Sequence, residues 1–262
     1  MLRFIFLHLV RNPLFLVTYS ICFFLPGFRP KVLFLQEEET AKIIASGKSL
    51  IRFGDGEIYL MNYGSIHYQS FSKKLREYFF TMIKSYNSSS PYIIAINEHV
   101  MTKTNRELRF HGQLRGWLPM KVYYLLYFPK DIAYGDASLF YYERAFEKYI
   151  EPHLLNKHVI IMTRREQIER IKKCNLPYAK ISYIVTPSSQ SFDNYEDIKK
   201  ELEEILLHDN DELQPVVLAG FSVAGKVLAY EFSQKGVQVL DIGIGIELMH
   251  TGKHLEHMLM PK

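Results

Sequence analysis

The chain has 262 residues, of which 48% are hydrophobic and 23% are charged. This length suits one large α/β domain, or one domain with a terminal appendage, and the composition excludes a disordered chain. The net charge of +4 comes without a long Lys/Arg run, which argues against nucleic acid as a partner but is compatible with an anionic nucleotide or lipid surface.

The N-terminal segment, residues 1–35, is strongly apolar, and we expect it to stand apart from a domain formed by residues 36–262. Residues 14–25 carry no charge, but a helix that spans a membrane needs about 20 residues. Three interpretations remain open: a membrane-surface or re-entrant anchor with Arg3 and Arg11 at the headgroups, a signal peptide, or a helix buried against the domain or a partner. The first would place the protein in the cytoplasm, at the inner face of the cell membrane.

From residue 36 onward, short apolar strands alternate with amphipathic helices. The pattern predicts strands at 49–53, 92–96, 132–134, 158–162, 181–185, 215–219 and 237–242. It predicts helices at 37–47, 71–87, 139–150, 165–173, 194–208 and 222–234, with a further helix beginning near residue 57. This alternation is typical of βαβ units, so we expect an α/β fold with a Rossmann-like, mostly parallel sheet flanked by helices.

The first candidate motif follows the first predicted strand, where residues 52–57 read Arg-Phe-Gly-Asp-Gly-Glu. Ligands bind at the carboxyl ends of strands in such sheets. Asp55 and Glu57 could converge on one Mg²⁺ or Mn²⁺ ion, which prefers oxygen ligands and substrate phosphates. Arg52 adds a cation for a phosphate, and Gly54 allows the chain to turn. The alternative is a strand-end turn in which Asp55 caps the next helix.

A second motif connects the strand at 215–219 to the following helix. Gly220, Ser222 and Lys226 stand where a strand, a glycine loop and a helix would bind phosphate at the helix N-terminus. The spacing matches the phosphate-binding loop G-x-x-x-x-G-K, but Val227 replaces the Ser or Thr that would hold Mg²⁺. An NTP- or phosphate-binding protein and an ordinary strand-to-helix turn therefore remain alternatives.

A third motif lies at the end of the last predicted strand. Asp241 comes about 20 residues after Gly220, where a Rossmann-type site has an acidic residue for a ribose. Gly243 follows it and belongs to the same candidate nucleotide site. The glycine fingerprint of dinucleotide binding is incomplete, so we do not expect a dinucleotide.

Other residue types that hold metals or protons are scattered along the chain. Asp136 follows another strand and could add a carboxylate to the same cleft, with a helix cap as the alternative. His111 is a candidate base or sugar contact. The pattern His-x-x-x-His-x-x-His at 250–257 lies in a polar tail without an accompanying carboxylate, which argues against a metal site. Cys22 and Cys174 form no Cys-x-x-Cys pair; a reduced cytoplasmic setting is the simpler interpretation, and a disulfide stays open.

Taken together, the motifs at 52–57, 134–137 and 218–243 resemble the GT-D type of bacterial glycosyltransferase, and the resemblance runs from about residue 48 to 247. It implies a Rossmann-like fold, a UDP-sugar donor and a divalent cation, Mn²⁺ or Mg²⁺. The family's Asp-x-Glu signature for metal and diphosphate maps onto Asp55 and Glu57.

The resemblance further implies transfer of a sugar to a glycan, glycoprotein or lipid-linked acceptor in surface polysaccharide synthesis. Asp136 and His111 are then the candidates for the base that takes the acceptor proton. Ile244 stands where the family has a His after Asp-Ile-Gly, and Gly245 stands where an acidic residue is expected, so the chain resembles a divergent member. A membrane-attached scaffold that has lost catalysis is the non-enzymatic alternative.

Overall fold

The computed structural model describes residues 10–141, 146–209 and 213–247. Within these residues, eight strands form one sheet in the order β1-β4-β3-β2-β8-β7-β5-β6, and every neighbouring pair is parallel. The strands are β1 (Leu33–Phe34), β2 (Ser49–Phe53), β3 (Tyr92–Ile96), β4 (Ala133–Asp136), β5 (His158–Thr163), β6 (Lys180–Val185), β7 (Pro215–Ala219) and β8 (Gln238–Asp241). The expected α/β fold with helices flanking the sheet is confirmed.

Helices cover both faces of the sheet. In the same residues they are α1 (Pro13–Phe24), α2 (Glu37–Ala45), α3 (Asp55–Met61), α4 (Lys73–Ser85), α5 (Glu98–Thr102), α6 (Asn105–Phe110), α7 (Leu114–Tyr127), α8 (Glu151–Leu154), α9 (Arg165–Ile171), α10 (Tyr195–Leu207) and α11 (Ala224–Ser233). Short 3₁₀ turns occur at Leu139–Tyr141 and Gly243–Glu247, and a π-helical turn at Phe146–Ile150.

Most predicted elements are confirmed, with ends that differ by one or two residues. The prediction of one α-helix over 139–150 is wrong, because the described residues of this stretch form a 3₁₀ turn at Leu139–Tyr141 and a π-helical turn at Phe146–Ile150. The ring of Phe140 lies 5.6 Å from the Arg52 guanidinium, and this tertiary contact outweighs the local helical preference. Helices α5 to α7 were not predicted, because α5 and α6 have only 5 and 6 residues, and Gly116 and Pro119 interrupt the pattern of α7.

The core occupies both sides of the sheet, which is why its strands are apolar runs rather than alternating sequences. In β3, every residue is buried: Ile94 and Ile96 join the core on one face, while Ile93 and Ala95 join the core on the other. Successive side chains of a strand point to opposite faces, so one unbroken apolar run supplies both cores.

The strand order reverses between β7 and β5, next to the site. From β7 the chain moves to β8, toward β2, whereas from β5 it moves to β6, at the outer edge of the sheet. Open parallel sheets bind ligands at such a switch point, outside the carboxyl ends of the strands. The predicted motifs after β2, β7 and β8 all lie at this edge.

The described part of the N-terminal segment, residues 10–35, contributes to the core of the domain. In α1, Phe15 is fully buried with its ring 5.3 Å from that of Tyr123 in α7, and Tyr127 donates a hydrogen bond to Asn12. Strand β1 pairs with β4 at the edge of the sheet. In the part of the chain that is described, no helix combines the length and the hydropathy needed to cross a bilayer. Cys22 and Cys174 are both free.

Candidate active site

A cleft of about 830 Å³ opens at the carboxyl ends of the strands. It contains nine of the eleven residues that the sequence proposed for a site, and Asp136 and His111 are the two outside it. The lining residues are Arg52, Gly54, Asp55, Gly56, Glu57, His67, Tyr68, Asn97, His99, Trp117, Ala137, Ser138, Thr163, Arg164, Pro187, Ser188, Ser189, Gly220, Phe221, Ser222, Lys226, Asp241, Gly243, Ile244, Ile246 and Glu247.

A buried lysine between two carboxylates forms the floor of this cleft. The Lys226 ammonium lies 3.2 Å from Glu57 Oε1 and 3.2 Å from Asp241 Oδ2. All three side chains are less than a tenth exposed. Burial by itself lowers the pKa of Lys226, but the charges of Asp241 and Glu57 outweigh that effect and raise it. Lys226 is therefore a fixed cation at the centre of the site.

Glu57 owes its orientation to the start of helix α3. It is the third residue of that helix, and its Oε2 accepts a hydrogen bond of 2.7 Å from the amide of Gly54, the N-cap. The helix is thus capped by Glu57 rather than by Asp55, the residue that the sequence alternative named. One oxygen of Glu57 is used for the cap, which leaves the other for Lys226.

Asp55 is the carboxylate that stays open to the cleft. It is exposed, and its Oδ1 accepts a hydrogen bond from the amide of Gly56. Partial burial raises its pKa first, and repulsion from Glu57 raises it further. In the described residues Asp55 forms no ion pair, so its charge is available to a ligand.

Arg52 braces the site from below. Its backbone amide donates to Asp241 Oδ2 at 3.1 Å, its guanidinium lies 3.6 Å from Asp241 Oδ1, and Nη1 donates to the carbonyl of Ala137. The side chain is buried. Arg52 therefore ties together the ends of β2, β4 and β8, and the predicted contact with a phosphate stays a prediction.

The loop after β7 is held close to the rest of the site. A Cβ at Gly220 would come within 2.9 Å of Ile246 Cβ, which explains the need for glycine there. The Ser222 hydroxyl lines the cleft and has no hydrogen-bond partner among the described residues. In a phosphate-binding loop the lysine would contact the phosphates, whereas Lys226 is held by two carboxylates.

Comparison with known proteins agrees with this architecture. A sequence model described as the glycosyltransferase GT-D fold matches residues 50–248, most of the chain. The chain belongs to the GT-D family. It is therefore a glycosyltransferase, as the resemblance of its motifs predicted. No curated protein matches the sequence.

Solved structures of related folds are similar over nearly the whole chain. One is described as a domain of unknown function 1792 with a distinct glycosyltransferase fold; it has a TM-score of 0.69 and 22% identity, over 92% of this chain and 87% of that one. Another is a new glycosyltransferase of the same domain type from Streptococcus sanguinis, with a TM-score of 0.68 and 21% identity, over 86% and 87% of the two chains. At this identity the likeness establishes the fold.

The two candidates for the base lie away from the cleft of this GT-D protein. Asp136 is buried, accepts hydrogen bonds from the amides of Glu98 and Ser138, and lines a separate cavity beside α2. His111 is an exposed residue at the end of α6. The structure brings neither to the Lys226 centre, and the histidines at 250–257 lie outside the described residues.

The structure adds Tyr68 to the site, a residue that the sequence analysis missed. Its hydroxyl lies 3.1 Å from the position that a Cβ at Gly56 would take. Burial and the charge of Glu57 raise the pKa of Tyr68 to about 12, so its hydroxyl remains a hydrogen-bond donor at neutral pH. Its loop is anchored by the amide of Gln190, which donates to the Tyr68 carbonyl. The loops that contain Tyr68 and Gln190 are far apart in sequence, so no local sequence pattern predicted that Tyr68 lies in the site.

The turn after β8 contains Gly245, where the resemblance led us to expect an acidic residue. A Cβ at Gly245 would lie 2.9 Å from Phe140 Cβ, so the backbone is too close for an acidic side chain there. Two residues further on, Glu247 reaches the cleft, where it pairs with Arg164 at 3.7 Å and accepts a hydrogen bond from Gln167. Among the described residues, Glu247 therefore supplies an acidic group at this end of the cleft.

A substitution at Gly243 tests whether Arg52 must join the ends of β2, β4 and β8. Gly243 has φ +51°, and a Cβ there would lie 1.9 Å from Arg52 Nη2. We expect Gly243→Ala to lower the free energy of unfolding by about 1–3 kcal/mol from overpacking, in addition to the strain of left-handed alanine. The change should also reduce glycosyl transfer, because Arg52 must move away from Asp241. Urea denaturation and a turnover assay measure the two effects.

Gly236→Ala is the matched control. Gly236 has φ +79°, but a Cβ there would meet nothing within 4 Å, so this variant carries the backbone strain alone. Equal losses of stability in the two variants would contradict the proposed contact between position 243 and Arg52.

Proposed function

We propose that the protein transfers a sugar, a hexose in the first instance, from a UDP-sugar to a glycan, glycoprotein or lipid-linked acceptor. The observation that supports this most directly is the charged group at the carboxyl ends of the strands, beside the switch point of the sheet. There Asp55 is open to an 830 Å³ cleft, above the buried Glu57–Lys226–Asp241 centre. A cleft of this size accommodates a nucleotide sugar together with part of an acceptor.

A divalent cation fits this group when the donor is bound. No cluster of three or more His, Cys, Asp and Glu side chains in the described residues would hold a metal by itself. Mg²⁺ and Mn²⁺, however, are usually bound by one or two carboxylates together with substrate phosphates. Among the described residues, the centre and Asp55 beside it have three carboxylates, Asp55, Glu57 and Asp241, and two cations, Lys226 and Arg52, so a bound cation would balance the excess negative charge. We propose Asp55 and Glu57 as the protein ligands.

The protein's own groups would bind and stabilise the leaving diphosphate. When bound, the metal would neutralise charge that develops on the leaving UDP. Lys226 would hold Glu57 and Asp241 in place, while the hydroxyls of Tyr68 and Ser222 offer hydrogen bonds. Helix α11 begins beside them at Ala224, and its N-terminal dipole also favours an anion. Donors that are fixed before the reaction stabilise developing charge without reorganisation.

We also propose that the enzyme acts in the cytoplasm at the inner face of the cell membrane. The apolar N-terminal segment would bring the cleft to lipid-linked acceptors of surface polysaccharide synthesis there. This location rests on the character of residues 10–25, which expose several large apolar side chains.

Release of UDP tests the proposed reaction. The full chain is incubated with a panel of UDP-sugars, with Mn²⁺ or Mg²⁺ or with a chelator, and UDP is measured over time. We expect at least one donor to be turned over, and turnover to stop when the metal is chelated. ATP hydrolysis that depends on Lys226 would instead favour the NTP-binding alternative. Donor binding without turnover, across donors and acceptors, would favour the inactive scaffold.

A further inference from the structure

The exposed apolar side chains of this protein are concentrated at its N-terminal helix. Six of the twelve large apolar side chains that are exposed in the described residues fall between residues 10 and 25: Val10, Leu14, Val17, Ile21, Phe24 and Leu25. Their exposed fractions run from 48% to 78%. Single exposed apolar residues are ordinary on a protein surface, but a contiguous group marks a site of contact.

Helical geometry places these side chains on one face. Leu14, Val17, Ile21 and Phe24 follow each other at intervals of three or four residues, which is the spacing of one side of a helix. Phe15 lies on the opposite side and is buried against α7. Helix α1 contains no charged residue, and Ser20 is an exposed polar side chain beside the apolar face.

Arginines stand at both ends of this face. Exposed Arg11 precedes α1, and exposed Arg109 donates from Nη2 to the carbonyl of Phe23 near its end. The amide of exposed Arg106 donates to the carbonyl of Pro26, which fixes α6 beside the end of α1. The neighbouring Phe110 is 86% exposed and extends the apolar area. A strip of apolar side chains bracketed by cations is complementary to an anionic lipid surface.

We propose that α1 and Phe110 dock on the surface of an anionic lipid bilayer, with α1 lying parallel to the membrane plane. A helix of 12 residues is about 18 Å long, against a hydrocarbon core of about 30 Å, so it lies in the interface and does not span it. A second copy of the chain would complement the apolar strip equally well. A dimer formed through this face would, however, bring the arginines of the two copies together, and their charges would repel each other. Anionic headgroups would instead pair with these arginines.

This surface is connected to the cleft through α7. Helix α1 packs on α7, and Trp117 of α7 lines the cleft. Docking would therefore hold one wall of the cleft near the membrane, where a lipid-linked acceptor presents its polar end. The choice of acceptor rests on the proposed transferase function, but the docking surface itself does not.

Vesicle binding tests the docking surface without reference to activity. The full-length protein is mixed with vesicles of phosphatidylglycerol and phosphatidylcholine, or of phosphatidylcholine alone, and the bound fraction is measured by co-sedimentation. We expect binding to the anionic vesicles that weakens as salt rises, because exposed charges are screened. The double variant Val17→Asp/Ile21→Asp should bind at least about tenfold more weakly than the wild type, because two apolar side chains that would insert into the membrane are replaced by anions.

Leu207→Asp is the matched control, since Leu207 is 79% exposed at the end of α10 and should not affect binding. Circular dichroism and UDP release without vesicles show whether each variant is folded and active, so a failed transferase and a failed docking surface give different results. Absence of wild-type binding to the anionic vesicles would overturn the proposal. The proposal would also be overturned if the wild-type protein formed a concentration-dependent dimer that the double variant does not form, and did not bind vesicles.

Discussion

Replacing Lys226 with methionine is expected to abolish glycosyl transfer and to lower the free energy of unfolding by about 3–5 kcal/mol, the usual cost of breaking a buried ion pair. The change leaves the buried carboxylates of Glu57 and Asp241 without their shared cation. Turnover should fall on the order of 100-fold or more, because Lys226 no longer holds Glu57, a proposed metal ligand, in place. Urea denaturation and UDP release measure the two effects separately.

A double variant separates stability from function. In Lys226→Met/Glu57→Gln, one uncompensated charge is removed, while glutamine can still accept the hydrogen bond from Gly54. We expect part of the lost stability to return while activity stays absent. Lys235→Met is the control, because its pair with Glu203 is half-exposed and should change stability by less than about 1 kcal/mol. A stable, fully active Lys226→Met variant would contradict the central role of this lysine.

Substitution of Asp55 is expected to reduce activity as much as Lys226→Met does, but to raise stability where Lys226→Met lowers it. Asp55→Asn should reduce turnover on the order of 100-fold or more, because it removes the open carboxylate proposed as metal ligand. Because burial and Glu57 raise the pKa of Asp55, its ionisation opposes folding. The variant should therefore be slightly more stable than the wild type at pH 7. This gain should vanish as the pH falls through the pKa of Asp55, where the wild-type carboxyl becomes neutral as well.

Glu57→Gln is the informative comparison. It should also lose turnover, but it should lower stability, because Lys226 keeps only one of its two carboxylates. Thermal unfolding from pH 3 to pH 8 distinguishes the two variants, and titration with Mn²⁺ and UDP reports metal affinity. Wild-type turnover in both variants would mean that the two carboxylates hold no catalytic metal.

The secondary structure of the sheet was predictable because its signal is local. Each buried strand is an apolar run bounded by turn residues, as in 92–96, and needs no knowledge of its neighbours. The helix predicted over 139–150 was wrong because the signal there is not local. Phe140 packs against Arg52 and Gly245, which are distant in sequence. Local preference lost there to packing across the sheet.

The sequence by itself determined the parallel α/β fold, the family, and the edge of the sheet at which Asp55, Glu57, Lys226 and Asp241 lie, because parallel strands all end at the same edge. Only the tertiary structure decided how these residues are paired. Glu57 and Asp241 share Lys226, Asp55 stays open, and Asp136 falls outside the cleft. Charges far apart in sequence are paired by the strand order, and a single sequence does not encode that order in any local pattern.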